Sequence, residues 1–336
     1  MTKNATPLAA SLQDDAVHLP VMLDEVLATM QPKDGDVIVD GTFGAGGYTK
    51  AMLNAADCTV YGIDRDPDAH KRSEGIKQAY GEKFDILKGC FGAMEQLLTA
   101  HGVAQVDGVV LDIGVSSYQL DEADRGFSFR ADGPLDMRMG DVGQTAADVV
   151  NGYDQDDLAN ILYEYGEEKK SRRIAAAIVK AREEAPITTT LELANIITAT
   201  IGIRRIKGKK TIHPATRSFQ ALRIYVNDEL GELRRGLAAA ERILKPGGRL
   251  VVVSFHSLED RIVKHFMAEK AGRVAGGSRH LPAHEERSAP TFKLVKASGL
   301  KPTAEEEARN PRARSARLRY ALRTDAAVES KGGDHA

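Results

Sequence analysis

The sequence predicts an α/β fold: an open, Rossmann-like, mostly parallel sheet carrying an inserted helical domain. Three observations predict it. Short apolar runs alternate with helical patterns through the first half of the chain, the signature of βα repetition. Each run ends on an acid or a glycine-rich turn. Far more sequence than one crossover needs separates the fourth run from the fifth.

Taken in order, Val37-Ile38-Val39 runs into Asp40 and then a glycine-rich turn. Thr59 to Ile63 ends at Asp64, and Phe84 to Leu87 leads to Lys88-Gly89-Cys90-Phe91. Gly108 to Leu111 ends at Asp112. A fifth strand, Leu250 to Val253, follows Lys245-Pro246-Gly247-Gly248, where Pro and Gly stop a helix and turn the chain back into the sheet. Between the fourth and fifth strands, Leu158, Ile161, Leu162 and Tyr165 recur at helical spacing, as do Ile174, Ala177, Ile178 and Ala181. Thr189-x-x-Glu192 opens a third helix as a capping box. A helix over Leu258 to Ala271 and strands at Phe292–Val295 and Leu318–Leu322 complete the pattern. The expected division is a sheet domain over 18–121 and 218–324, a helical substrate-recognition insert over 122–217, and disordered tails at 1–17 and 325–336.

A chain of 336 residues with 42% hydrophobic content can build a sizeable core, and about 150 residues per domain gives two domains. No apolar run approaches the ~20 residues that span a bilayer, and the polar N-terminus lacks a signal pattern, so the expected location is cytoplasmic. Two isolated cysteines, Cys58 and Cys90, form neither a disulfide framework nor a zinc cluster, and no metal is expected. With a net charge of -2, any polyanion must be held by local basic patches.

Asp40-Gly41-Thr42-Phe43-Gly44-Ala45-Gly46-Gly47 lies between a strand and a helix. Glycines there allow close backbone approach, and the helix start beyond them offers unpaired N–H groups. Asp64, ending the next strand, can accept from both ribose hydroxyls. A dinucleotide fingerprint starting at Gly44 would need glycine where Thr49 stands, so NAD fits poorly. The Lys245-Pro246-Gly247-Gly248 element looks like the same element in class I methyltransferases, which favours S-adenosylmethionine. Phe91 could pack against an adenine ring, although its own stretch carries no acid for the adenine amine.

Asp112 is followed by Ile113-Gly114-Val115-Ser116-Ser117-Tyr118-Gln119 at a strand end where open α/β sheets bind ligands. The stretches Asp40–Gly47, Ile63–Asp66, Leu111–Ser117, Arg125–Phe129, Gly133–Met139, Tyr165–Glu168, His213–Arg217, Ser254–Arg261 and Asn310–Ser315 together resemble the bacterial 16S rRNA cytosine-N4 methyltransferase family. The resemblance runs from His18 to Thr324. It implies a class I S-adenosylmethionine-dependent methyltransferase acting on one cytosine of the decoding region, near the ribosomal P site. By motif match it places cofactor contacts on Gly44, Gly46, Gly47, Tyr48, Asp64, Phe91, Asp112 and Gln119. That family often has histidine where Tyr48 stands here.

Cytosine N4 is a weak nucleophile, so an acceptor such as Asp112 would help by holding the amine in line. Many amino-group methyltransferases carry a Pro-Pro-aromatic motif after this acid, and here the chain reads Asp112-Ile-Gly-Val-Ser. His256 in Ser-Phe-His-Ser is a second catalytic candidate, with a helix-capping role as its alternative. Ser116, Ser117 and Tyr118 face the expected substrate side. Arg204, Arg205, Lys209 and Lys210, with His213 and Arg217 nearby, form the expected phosphate grip, and Arg312, Arg314, Arg317 and Arg319 form a second basic cluster. The expected partner is 16S rRNA in the assembled or assembling 30S subunit; monomer and homodimer both remain open. A DNA or small-molecule amino methyltransferase and a non-catalytic RNA-binding module are the alternatives.

Overall fold

The computed structural model describes residues 20–203, 213–273 and 289–328. Helix α1 (Leu23–Met30) precedes β1 (Val37–Asp40), α2 (Gly47–Ala55), β2 (Thr59–Asp64), α3 (Pro67–Tyr80), β3 (Phe84–Lys88), α4 (Met94–Ala100) and β4 (Val106–Asp112). A short α5 (Ser117–Asp121) leads to α6 (Ala146–Gly152), α7 (Gln155–Glu164), α8 (Ser171–Glu184) and α9 (Thr190–Ile201). Then α10 (Thr216–Val226) and α11 (Glu229–Ile243) return the chain to β5 (Leu244–Ser254). The remaining elements are α12 (Ser257–Lys270), β6 (Phe292–Leu294), α13 (Ala304–Arg309) and β7 (Arg317–Arg323).

The seven strands lie in the order β3-β2-β1-β4-β5-β7-β6. Strands β1 to β5 are parallel, and β7 runs antiparallel between β5 and β6. Successive residues of one strand feed opposite faces: Ile38, Val60, Val110 and Val251 pack on one side, Val39, Ile63, Val109 and Val252 on the other. Burial on both faces explains why these strands read as unbroken apolar runs. The chain moves outward from β1 to β3 and then reverses to β4, so the switch point lies between β1 and β4. In open α/β sheets the crevice at such a switch point is where ligands bind.

Strand β5 starts earlier than the sequence indicated. Leu244 already pairs with Val106, and the register then shifts so that Arg249 meets Gly108. Lys245-Pro246-Gly247-Gly248 thus forms a bulge within the strand rather than a turn before it, with Gly247 at φ +83° absorbing the extra length. Helix α1, also not anticipated, buries Val26 and Met30 four residues apart against the sheet.

Helices α6 to α10 enclose a core of their own that includes Leu135, Val149, Leu158, Ile174, Leu193 and Phe219. It continues through Leu222, past the expected edge at Arg217. The capping box at Thr189 is present: Glu192 N–H donates to Thr189 Oγ1 at 3.3 Å, and Thr189 N–H donates to Glu192 Oε2 at 3.0 Å. Leu158 is fully buried there, so Leu158→Ala is expected to lower stability by about 2–5 kcal/mol, read as a shifted urea midpoint. The C-terminal region also departs from expectation, since Arg323 donates to the Ala326 carbonyl at 2.8 Å and so orders part of the anticipated tail.

Asn227 ties the helical core to the sheet. Its Nδ2 donates to Met137 O at 2.7 Å, its Oδ1 accepts from Met139 N–H at 2.8 Å, and its carbonyl accepts from Arg65 at 3.2 Å. Two unusual sequence stretches prove to be partners. Met137 N–H donates to Arg125 O at 3.2 Å, and a Cβ on Gly126 would lie 2.3 Å from the Pro134 carbonyl.

Candidate active site

A cavity of about 440 Å³ opens at the switch point, within the range of small-ligand sites. One end is a glycine cradle. Gly44 and Gly46 have φ of +55° and +73°, and Gly46 caps α2. A Cβ on Gly46 would sit 2.4 Å from Ile76 Cδ1, and one on Gly47 would sit 2.2 Å from Pro20 Cγ. The N-terminal segment therefore closes over the cradle, and Pro20 and Val21 line the cavity. Nothing local in the sequence marked them.

Asp64 ends β2 and accepts from Gly44 N–H at 2.8 Å and Asp66 N–H at 2.9 Å. Burial raises its pKa despite these donors. Asp66 is a buried hub: it caps α3 through Asp68 N–H and accepts from Gln119 Nε2 at 2.9 Å. It also pairs with Arg125 at 3.1 Å. Gln119 is therefore held by Asp66 and by the Ser116 cap, where its Oε1 accepts from Ser116 N–H at 3.1 Å. Phe91 is half-buried, its ring packed so closely on α11 that a Cβ on Gly236 would lie 2.4 Å from it. An acid lies beside Phe91 from α11: Glu232 Oε2 accepts from Gly92 N–H at 3.0 Å, its Oε1 pairs with Arg235, and it lines the cavity. No local pattern links Glu232 to Phe91, because the fold alone brings them together.

Asp40 and Asp112 end β1 and β4, the two strands flanking the switch point. Burial pushes Asp40 up to about 6, against a stabilising 2.7 Å bond from Thr49 Oγ1. Asp112 is pushed up to about 8, first by burial and then by the neighbouring charges of Asp40 and Glu259. Its N–H donates to Thr42 Oγ1 at 2.6 Å, while its buried Oδ1 has no partner among the described residues. Tyr48 is buried on α2, and its hydroxyl donates to the Val21 carbonyl.

His256 occupies the N-cap of α12. Its Nδ1 accepts from Glu259 N–H at 3.4 Å, and its Nε2 lies 2.9 Å from Glu259 Oε1 without the alignment of a hydrogen bond. The ring is thus turned toward its own helix, the capping alternative read from the sequence. Buried Glu229 completes a trio with half-buried His256 and buried Glu259 whose ligand atoms lie within 4.8 Å of one another. Arg223 already donates to both Glu229 oxygens at 2.8 Å, so a cation there would face a guanidinium. Phe255, overlooked in the sequence although it precedes His256, lines the cavity and packs against Gly114, where a Cβ would meet its ring at 3.1 Å.

Among the expected substrate residues, Ser116 caps α5 and Ser117 begins that helix. The Arg72 guanidinium lies 4.5 Å from the centre of the Tyr118 ring, which lines the cavity. Arg217 is exposed, with one donor on the Glu167 carbonyl at 3.2 Å, and His213 packs 4.6 Å from the Phe129 ring. Arg204, Arg205, Lys209 and Lys210 lie outside the described residues. In the second basic cluster, Arg319 is buried and paired with Asp260 at 2.6 Å, which removes it from the surface.

A glycine cradle after the first strand, acids ending the first, second and fourth, and an antiparallel seventh strand slotted between the fifth and sixth define a methyltransferase of the class I α/β fold. A profile of the MraW methylase family matches residues 15–324, and the chain belongs to that family. A relative from Hyphomonas neptunium is 59% identical over 309 residues, covering 92% of this chain and 89% of its own. One from Rhodospirillum centenum is 56% identical over 332 residues, covering 99% of both chains. One from Caulobacter vibrioides is 56% identical over 318 residues, covering 95% and 99%. All three are named ribosomal RNA small subunit methyltransferase H.

Proposed function

We propose that the protein methylates the N4 amine of one cytosine in the decoding region of 16S rRNA, using S-adenosylmethionine. The substrate would be presented by the assembled or assembling small subunit in the cytoplasm. The observation that carries this reading is the unpaired, buried Asp112 Oδ1 in the same cavity as the glycine cradle. The relatives' names supply the RNA class, and the resemblance supplies the base and its position.

The cradle fits the cofactor, because side chains at Gly46 or Gly47 would occupy or distort its wall. Asp64 would accept from the ribose hydroxyls, and Glu232 with Phe91 would hold the adenine. When bound, S-adenosylmethionine supplies a methyl group on a positively charged sulfur. Asp112 would accept a hydrogen bond from the cytosine amine and hold it in line with that methyl. Positioning of this kind can supply as much as ~7–11 kcal/mol of a barrier. A cytosine within folded RNA must be turned out of its stack, and Phe255 and Tyr118 offer the aromatic faces to receive it. Arg217 would hold a phosphate, and the basic residues Arg204, Arg205, Lys209 and Lys210 of the sequence suit the same purpose.

The test is transfer of labelled methyl to undermethylated small subunits, naked 16S rRNA and DNA, followed by nucleoside mapping. Label in N4-methylcytosine at a single decoding-region position of the subunits is the expected result. Label at another base, or transfer to DNA alone, would overturn the assignment.

A further inference from the structure

We propose that Lys169, Lys170, Arg172 and Arg173, at the entry to α8, form with Arg217 a track for RNA phosphates running from the cavity mouth. The inference rests on the function proposed above and assigns the surface that grips the strand beside its target base.

The turn 165–170 joins α7 to α8 and borders the cavity. Gln220, which lines the cavity, donates to the Tyr165 carbonyl at 3.4 Å. Ser257, next to the cavity-lining His256, donates to Glu167 Oε2 at 3.0 Å. Close packing fixes the turn. Glu167 has a left-handed backbone at φ +48°, and a Cβ on Gly166 would lie 2.6 Å from the Arg217 carbonyl. The four cations follow directly, and all are exposed.

Nearby acids leave these charges uncompensated. Glu167 is engaged by Ser257 and Arg261. Glu168 is buried and accepts from Lys170 N–H at 2.8 Å. Glu164 is exposed and pairs with none of the four. Lys170 Nζ and Arg173 donate to the Ile201 and Thr200 carbonyls, each at 3.1 Å, which holds those side chains in place without cancelling their charge. Lys169 and Arg172 have no side-chain partner among the described residues.

Their position also works against stability. The first turn of α8 carries two arginines and no acid, although that end of a helix favours negative charge. A base turned into the cavity leaves its own phosphate and its neighbours' at the mouth, beside these cations. Lys and Arg bind phosphates without regard to sequence, so the track supplies affinity and register while the cavity reads the base.

The experiment measures affinity for undermethylated small subunits across a series of monovalent salt concentrations, using Lys169→Gln/Arg172→Gln. The slope of log affinity against log salt should become shallower by about one to two, and affinity at 0.1 M salt should fall about tenfold or more. Cofactor affinity by calorimetry should stay at the wild-type level, and the urea midpoint should equal or exceed the wild type's. Lys33→Gln/Lys180→Gln removes the same charge before β1 and near the far end of α8, and it should bind as the wild type does. The exchange Lys169→Arg/Arg172→Lys keeps both charges and should keep the slope. Unchanged binding, a loss with unchanged slope, or an equal loss in the Lys33/Lys180 pair would overturn the proposal. If the glutamine pair lowers the urea midpoint, Arg172→Gln alone carries the test, with about half the change in slope. Full binding by the glutamine pair, beside normal methylation by the wild type, would reject the track and keep the proposed function. A shallower slope, in a protein whose wild type methylates no small-subunit cytosine, would keep the track and reject that function.

Discussion

Asp112→Asn is expected to lower methyl transfer at least about 10²-fold while making the folded chain more resistant to urea at pH 8 than the wild type. The two effects share one cause. Burial and the Asp40 and Glu259 charges raise the Asp112 pKa from 3.8 to about 8, so the folded state holds this proton more tightly than the unfolded chain. Relative to a neutral amide, Asp112 therefore weakens the fold progressively as pH climbs from 4 toward 8, and the whole deficit is present above 8. Asparagine removes that penalty but presents an amide in place of a charged acceptor. Urea midpoints at pH 5 and pH 8, read beside single-turnover rates, check both arms. An equal midpoint change at the two pH values would show that Asp112 is not a strained acid.

Gly46→Ala is expected to abolish measurable cofactor binding. Two penalties coincide at this position. The backbone is left-handed at φ +73°, which disfavours any Cβ by roughly 1–2 kcal/mol. The added methyl would also lie 2.4 Å from Ile76 Cδ1 and 2.7 Å from Phe43 Cε2, so the buried Phe43 ring or the cradle backbone must shift to make room. Gly35→Ala separates the two: it has φ +83° but nothing within 4 Å, and it lies before β1, away from the cavity. That variant should lose a similar amount of stability to backbone strain and keep full cofactor affinity. Calorimetric titration of both proteins is the check, and wild-type affinity in Gly46→Ala would refute the clash argument.

The parallel sheet was legible because burial on both faces leaves a run such as Val109-Val110-Leu111 continuous, and because acids mark the strand ends. The cradle was legible because positive backbone angles such as those of Gly44 and Gly46 strongly favour glycine. Asp112 could be singled out by its place at the end of the fourth strand, but not its unpaired oxygen or the charges of Asp40 and Glu259, which come from two other elements. Glu232, Phe255 and Pro20 reach the cavity through long-range packing and leave no local pattern. Arg319 misled as a surface charge because its partner, Asp260, lies on α12, across the sheet's antiparallel edge. The bulge in β5 was hidden because Pro and Gly mark a turn equally well.

The bulged strand β5 pairs with β4 at the centre of the sheet, yet the chain leaves β4 at Asp112 and returns only at Leu244. Closing so long a loop adds little to the equilibrium penalty, since each doubling of length costs about 0.6 kcal/mol in chain entropy. Its burden is kinetic, because non-local pairings form slowly. The helices between carry their own core, and Asn227 bonded to Met137 and Met139 draws the two ends of that segment together. Once those helices collapse, the search facing β4 and β5 shrinks to the short connections on either side, so the inserted segment also serves as the clasp that lets the sheet close.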